Sequence, residues 1–229
     1  MELLDIVRRS LSDFCYTFVK HPYLCYTEHG QHALFYTRLF NALPPENRYT
    51  TWQGQKIGVI QKEYPTAGDL SKSRRQHWDI AVLKTPPESL ATENAYDYLK
   101  LATVIEFGMN ARKKHLVEDL RRLCHADANL MQGFIVHLYR LSQPQALFSK
   151  RDWTSGSKRI LSPQEVAELA ADTPIEVYYA LADGTGQYTP GVWRMRNGIV
   201  MTLSDNDASA GESRTQTQRT GLKPDTTIG

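Results

Sequence analysis

The run Thr103-Val-Ile-Glu-Phe-Gly-Met-Asn-Ala-Arg-Lys-Lys-His-Leu-Val117 governs the reading of the whole chain. It begins as a short apolar segment of the kind a buried strand uses, with Glu106 in its middle. It breaks at Gly108, offers a helix start at Asn110, and continues as an amphipathic helix headed by Arg112, Lys113 and Lys114. A carboxylate inside a buried strand is costly unless a cation, a base or a metal compensates it. A costly anion beside a cluster of cations, at a strand-to-helix junction, marks a candidate site.

Working outward, Leu4, Val7, Leu11, Phe14, Cys15 and Phe18 recur at helical spacing, and His21-Pro22 ends that helix. A second helix is expected from the N-cap Thr27 to Leu43, before Pro44-Pro45. Its apolar stripe of Phe35, Leu39 and Leu43 extends back through His32 to Glu28. Glu28 therefore either faces whatever this helix packs on or answers the helix dipole. Lys56 to Glu63 reads as a strand, Pro65 to Asp69 as a turn, and Lys72-Ser-Arg-Arg75 as a basic loop. His77 to Leu83 is another strand, with Asp79 near its start and Ala81 and Leu83 on the same face. Residues 88 to 100 are ambiguous.

After Glu106, the helix over about 111 to 124 aligns Leu116, Val117, Leu120, Leu123 and Cys124. Lys113 falls in the middle of that face and Lys114 off it, while Glu118 and Arg122 form an outward i,i+4 pair. Met131 to Leu141 is a strand whose His137 reads as a satisfied core histidine. Ser162-Pro-Gln-Glu165 is a capping box opening a helix to about Ala171. Ile175 to Leu181 and Gly191 to Met195 form a terminal hairpin across Asp183-Gly-Thr-Gly186. From Asp205 the composition is that of a disordered tail.

The totals narrow the classes. The chain has 229 residues, 41% of them apolar, and a net charge of +2, so a nucleic-acid partner must be argued from where Lys and Arg fall. Cys15, Cys25 and Cys124 are odd in number and widely spaced, which fits free thiols in a reducing compartment. No signal-peptide pattern opens the sequence, and no apolar run approaches the roughly 20 residues of a membrane span. A cytoplasmic protein without a membrane partner is expected.

Asp79 and Glu106, on neighbouring strands and aimed the same way, suit a hard divalent cation such as Mg²⁺. Such an ion activates water and neutralises charge on a phosphate, and a nearby lysine assists. Arg74, Arg75, Arg112 and Lys114 are candidates for phosphate-backbone contacts.

The order of elements (helix with Glu28, strand, strand with Asp79, strand with Glu106, basic-led helix, strand) resembles that of the PD-(D/E)xK nuclease superfamily over roughly residues 24 to 140. Trp78-Asp79 looks like the first acidic position of that family, Ile105-Glu106-Phe107-Gly108 like its (D/E)xK segment, and Glu28 like the acid on its first core helix. The resemblance implies an α/β fold: a restriction-endonuclease-like αβββαβ core with a mixed central sheet flanked by helices. The added parts would be an N-terminal helix, a C-terminal helix and hairpin, and the tail. One domain would span 1–203, with its core at about 24–141 and a C-terminal extension at about 142–203, followed by the tail at 204–229. It also implies Mg²⁺ or Mn²⁺ held by Asp79, Glu106 and the carbonyl of Phe107, with Glu28 in support. The expected activity is hydrolysis of phosphodiesters in DNA first and RNA second, and a homodimer is compatible with it. The motif lysine position is Gly108, and some members move the lysine to the following helix, where Lys113 is the candidate.

Other readings stay open. The fold can be a catalytically inactive one that binds nucleic acid or a protein partner. Asp79 can be a strand-start carboxylate bonded to a loop, and Glu106 can pair with Lys113 without a metal. His29 and His32 beside Glu28 invite a zinc reading, although their spacing lacks the His-Glu-x-x-His pattern.

Overall fold

Among the described residues, the apolar residues of seven strands in one sheet and the stripes of four helices assemble into three layers. The computed structural model describes residues 2–66, 76–89, 98–140, 160–182 and 189–204. Helices α1 (Leu3–Lys20) and α2 (Glu28–Ala42) cover one face of a mixed sheet. Helices α3 (Lys113–Leu123) and α4 (Pro163–Ala170) cover the other. Strands β1 (Tyr49–Trp52) and β2 (Gln55–Gly58) form a separate hairpin. The sheet itself runs β3 (Ile60–Pro65), β4 (His77–Leu83), β5 (Leu101–Met109), β6 (Leu130–Tyr139), β7 (Glu176–Leu181), β8 (Gly191–Arg196) and β9 (Ile199–Thr202), in that spatial order.

β3, β4 and β5 make an antiparallel meander; β5, β6 and β7 are parallel; β8 and β9 return antiparallel. The two parallel steps cross over through α3 and α4 on one face. Successive crossovers of one hand in one direction must do so. Alternation splits the core accordingly. Ile80, Ile105, Phe107, Phe134 and Val136 pack toward α1 and α2, and Ala81, Val104, Ile135, Val177 and Tyr179 toward α3 and α4.

Most expected elements are present, with Thr27 capping α2 by accepting from the Gly30 amide, and the Ser162–Glu165 capping box formed in full. Several boundaries differ. The strand expected at 56–63 is two strands, because the chain turns at Gly58–Val59 to leave the β1–β2 hairpin and enter the sheet. β5 runs through Gly108 to Met109, and Asn110 is a left-handed turn residue (φ 52°) instead of a helix start. Its Oδ1 accepts the Arg140 amide, so that the turn is tied to the end of β6. The C-terminal hairpin is integral to the sheet, since β7 pairs with β6, and β9 follows it through an Asn197-Gly198 turn with both residues at positive φ. The basic loop at 72–75, the 183–186 turn and the tail from 205 lie outside the described residues.

Two arginines tie the layers together. Arg8 of α1 donates through Nε and Nη2 to Glu176 Oε1, at 3.0 and 2.6 Å, compensating a fully buried carboxylate at the start of β7. Arg140, 1% exposed at the end of β6, donates to the carbonyls of Pro22, Cys25 and Tyr26, with Tyr23 4.9 Å away. That clamp sets the loop from which α2 starts, and so sets Glu28. Arg140→Ala is expected to cost about 3 kcal/mol, because buried carbonyls lose charged donors. Arg140→Lys recovers only part of this, since an ammonium cannot span three carbonyls in a plane. Urea denaturation of both variants measures the difference.

Candidate metal centre

At the carboxyl ends of β5 and β6, where α2 and α3 both begin, the sheet opens into a cleft of about 180 Å³. Crevices at strand carboxyl ends are where open α/β sheets bind ligands. The pairing Ile80↔Ile105 places Asp79 and Glu106 next to each other across β4 and β5, on the face that carries Ala81 and Val104. Beyond that pair the Asp79 side chain takes over as strand partner: Phe107 N–H donates to Asp79 Oδ2 at 2.8 Å. Glu28 arrives from the first turn of α2, and its Oε2 accepts the Met109 amide at 2.7 Å. Three of the expected acids thus converge, and Phe107 lines the same cleft.

The cations are not the expected ones. Lys113 is exposed and does not line the cleft, and Arg112 and Lys114 are exposed beside it, Lys114 lying 3.7 Å from Glu118. Arg74 and Arg75 lie outside the described residues. Helix α3 buries Leu116, Asp119, Leu120 and Leu123, with Val117 and Cys124 turned to solvent. Exchanging those two for Asp119 rotates the buried face by roughly 50° from the apolar stripe, at 3.6 residues per turn. Lys113, on the first turn, moves from the centre of that face to its flank, and Arg122 comes round from the far side to the opposite flank, from which its long side chain reaches the sheet. The expected outward pair of Glu118 and Arg122 is therefore replaced. Arg122 donates to both oxygens of Glu106, at 3.2 and 3.4 Å, and to the carbonyl of His77 at 2.8 Å, with Trp78 4.9 Å from its guanidinium.

The lysine position of the motif is closed. A Cβ on Gly108 would lie 2.9 Å from Ala111 Cβ and 2.9 Å from His137 Nε2. His137, opposite Gly108 in the β5–β6 register, fills that space. It is not the satisfied core histidine expected, because its buried Nε2 has no hydrogen-bond partner. On the α2 side, His29 and His32 are joined by Glu63, their ligand atoms within 4.8 Å of one another. The β3–β4 register sets Glu63 opposite Asp79.

The electrostatics are dominated by crowded acids. Five carboxylates line the cleft (Glu28, Asp79, Glu106, Glu118, Asp119) against Arg122 and His115. Burial first, and then the charges of Glu28, Asp119 and Glu63, push Asp79 up to about 7, with the Phe107 amide pulling the other way. Burial and Asp79 push Glu106 well up, and Arg122 opposes them. His115 is raised to about 9, chiefly by its hydrogen bond to Asp119. Burial works to raise Asp119, but His115 and His137 outweigh it and hold its carboxyl low. Burial lowers His137, and it lowers His32 to about 3 with help from Lys62 and His29. Such an excess of acid fits a dication and repels a bare phosphate. The oxygen donors of Asp79, Glu106 and Phe107 are of the kind Mg²⁺ or Mn²⁺ takes.

Glu63, His115, Asp119, Arg122 and His137 escape sequence reasoning. The one available signal was the spacing of His115, Asp119 and Arg122 at i, i+4 and i+7, a polar stripe beside the apolar one. Compared with known protein families, with curated proteins and with solved structures, the chain matches none.

Two outcomes follow from this geometry. Gly108→Ala is expected to destabilise by about 1–3 kcal/mol through overpacking against His137, read as a lower urea midpoint. For Asp79 the folded value of about 7 exceeds the ordinary 3.8, so between them the folded protein holds a proton that the unfolded chain releases. Its contribution to stability is full below about pH 4 and is lost as pH rises through 7, by an amount on the order of a few kcal/mol. The stability difference between wild type and Asp79→Asn should therefore change across that range without metal. A difference independent of pH contradicts the assignment.

Proposed function

We propose that the cleft holds Mg²⁺ or Mn²⁺ on Asp79, Glu106 and the Phe107 carbonyl, and hydrolyses phosphodiester bonds of DNA, with RNA as the second substrate. The observation that carries this reading is the cross-strand placement of Asp79 beside Glu106, in a cleft whose acids outnumber its cations. The path of α2, the β3–β4–β5 meander, the α3 crossover and parallel β6 follows the αβββαβ order of a restriction-endonuclease-like core. When bound, the ion would supply water activation and charge neutralisation at phosphorus.

The chain's own groups divide the remaining work. Asp79 is fixed by the Phe107 amide on one oxygen and keeps the other for a cation, whereas Glu106 is held by Arg122, which must release an oxygen when an ion binds. Arg122 is the fixed positive group inside the cleft, in place of a lysine at 108 or 113, with His115 beside it. Arg112 and Lys114, exposed at the start of α3, are available to the nucleic-acid backbone at the rim. A cytoplasmic setting suits this function.

A second reading has support of its own. Arg122 occupies both oxygens of Glu106, and Gly108 has no room for the lysine, as in a nuclease-like domain that binds nucleic acid or a protein without cutting.

Incubation with Mn²⁺ and either plasmid or single-stranded DNA separates the two. Cleavage is expected, reduced at least about a hundredfold in Asp79→Asn and Glu106→Gln, and within about twofold of wild type in Lys113→Ala, which the cleft does not include. DNA binding without cleavage at any Mn²⁺ concentration favours the second reading. Cleavage that survives Glu106→Gln rejects the site.

A further inference from the structure

On the α3 side of the cleft, His115, Asp119 and His137 bring one ligand atom each to within 4.8 Å of one another. Asp119 Oδ2 lies 3.0 Å from His115 Nε2 and 3.9 Å from His137 Nε2. Ligand atoms around a tetrahedral ion with bonds of about 2.0–2.1 Å stand roughly 3.3 Å apart, so these three need to close by no more than about 1.5 Å to share one.

The hydrogen bonding around His137 decides which of its nitrogens is bare. The Tyr139 hydroxyl donates its proton to the Ala111 carbonyl at 2.9 Å, so toward His137 Nδ1, 3.3 Å away, it can only accept. Nδ1 therefore carries the hydrogen, and Nε2 presents its lone pair. That lone pair is completely buried, lies 3.9 Å from Asp119 Oδ2 and has no hydrogen-bond partner among the described residues, while Asp119 Oδ2 has His115 Nε2 on its other side. Two acceptors facing each other in a dry interior repel unless a cation lies between them. The Tyr139 contact is also what a metal-bound imidazole wants behind it: a partner for the far N–H that fixes ring and tautomer. Gly108 completes the arrangement, because any side chain there would displace the His137 ring.

We infer that His115, Asp119 and His137 form a transition-metal site of zinc type, with three protein ligands and a fourth position open to the cleft. Imidazole nitrogens favour late first-row ions over Mg²⁺. The open position follows from exposure, since the His115 side chain is 42% accessible and lines the cleft with Asp119. A site with three protein ligands and one exchangeable position is the form that catalytic zinc takes, whereas structural zinc is closed. This site is distinct from the Asp79–Glu106 pair and does not rest on the nuclease reading.

Titration of chelator-stripped protein with Co²⁺, followed by visible absorption, tests it. One equivalent is expected to give ligand-field bands that Zn²⁺ abolishes. Affinity should fall at least about tenfold in His115→Ala and in Asp119→Ala, and stay within a few-fold of wild type in His29→Ala and Asp79→Asn. His137→Gln is buried and is checked for folding by circular dichroism. If it does not fold, the half-exposed His115 variant carries the test. Absence of Co²⁺ bands in the wild type overturns the inference and leaves a His115–Asp119 ion pair. Bands that survive His115→Ala but vanish in His29→Ala also overturn it, by placing the ion on His29, His32 and Glu63. Because Asp79→Asn removes the other site, loss of nuclease activity and loss of Co²⁺ binding are read separately.

Discussion

The ion pair between Glu106 and Arg122 is what lets a carboxylate sit in the middle of a buried strand. Glu106 is 3% exposed and adjoins Asp79, and both push its carboxyl up toward the neutral form, so it needs a fixed cation to oppose them. Arg122 satisfies that need with both terminal nitrogens, and is itself held by the His77 carbonyl and the Trp78 ring. The rotation of α3 follows, because an arginine at position 122 reaches the sheet only if the helix turns Val117 outward and Asp119 inward. Asp119 then needs partners of its own and finds them in His115 and His137.

Charge therefore spreads from one buried acid through a connected set of residues, and the topology decides where the set lies. Both parallel crossovers leave their strands at the same end, so the ends of β5 and β6, the start of α3 and the start of α2 meet there. Glu28 closes the site over Met109, and Asp79 closes it over Phe107. Gly108 is the point at which two chemistries exclude each other. A lysine side chain there and the His137 ring cannot share the space, and the chain has the histidine.

Much of this was legible in the residues alone. The stripe from Leu43 back to Glu28 offered two readings of that acid, of which the structure has the inward one, and the period-two pattern put Asp79 with Ala81 and Leu83. The capping box at Ser162 and the buried β6 were equally readable, because each is a property of a few neighbouring residues. Lys113 was misread for a related reason: apolar periodicity is blind to a buried aspartate. Asp119 counts as polar in the pattern, yet it lies on the buried face and shifts that face's centre. Asn110 was misread because asparagine serves both as a helix cap and as a left-handed turn residue, and only the neighbouring Arg140 amide selects the turn.

By itself the sequence determined the α/β class, the placement of most helices and strands, and the common face of Asp79 and Glu106. These follow from local periodicity, which records the face each element must bury. Tertiary structure alone decided that Arg122 is the cation at Glu106, that His137 occupies the space above Gly108, and that β7 joins the sheet beside β6. Such facts depend on rotation and register between elements distant in the chain. Those are set by which buried charges find partners, a condition that no single stretch of residues can express.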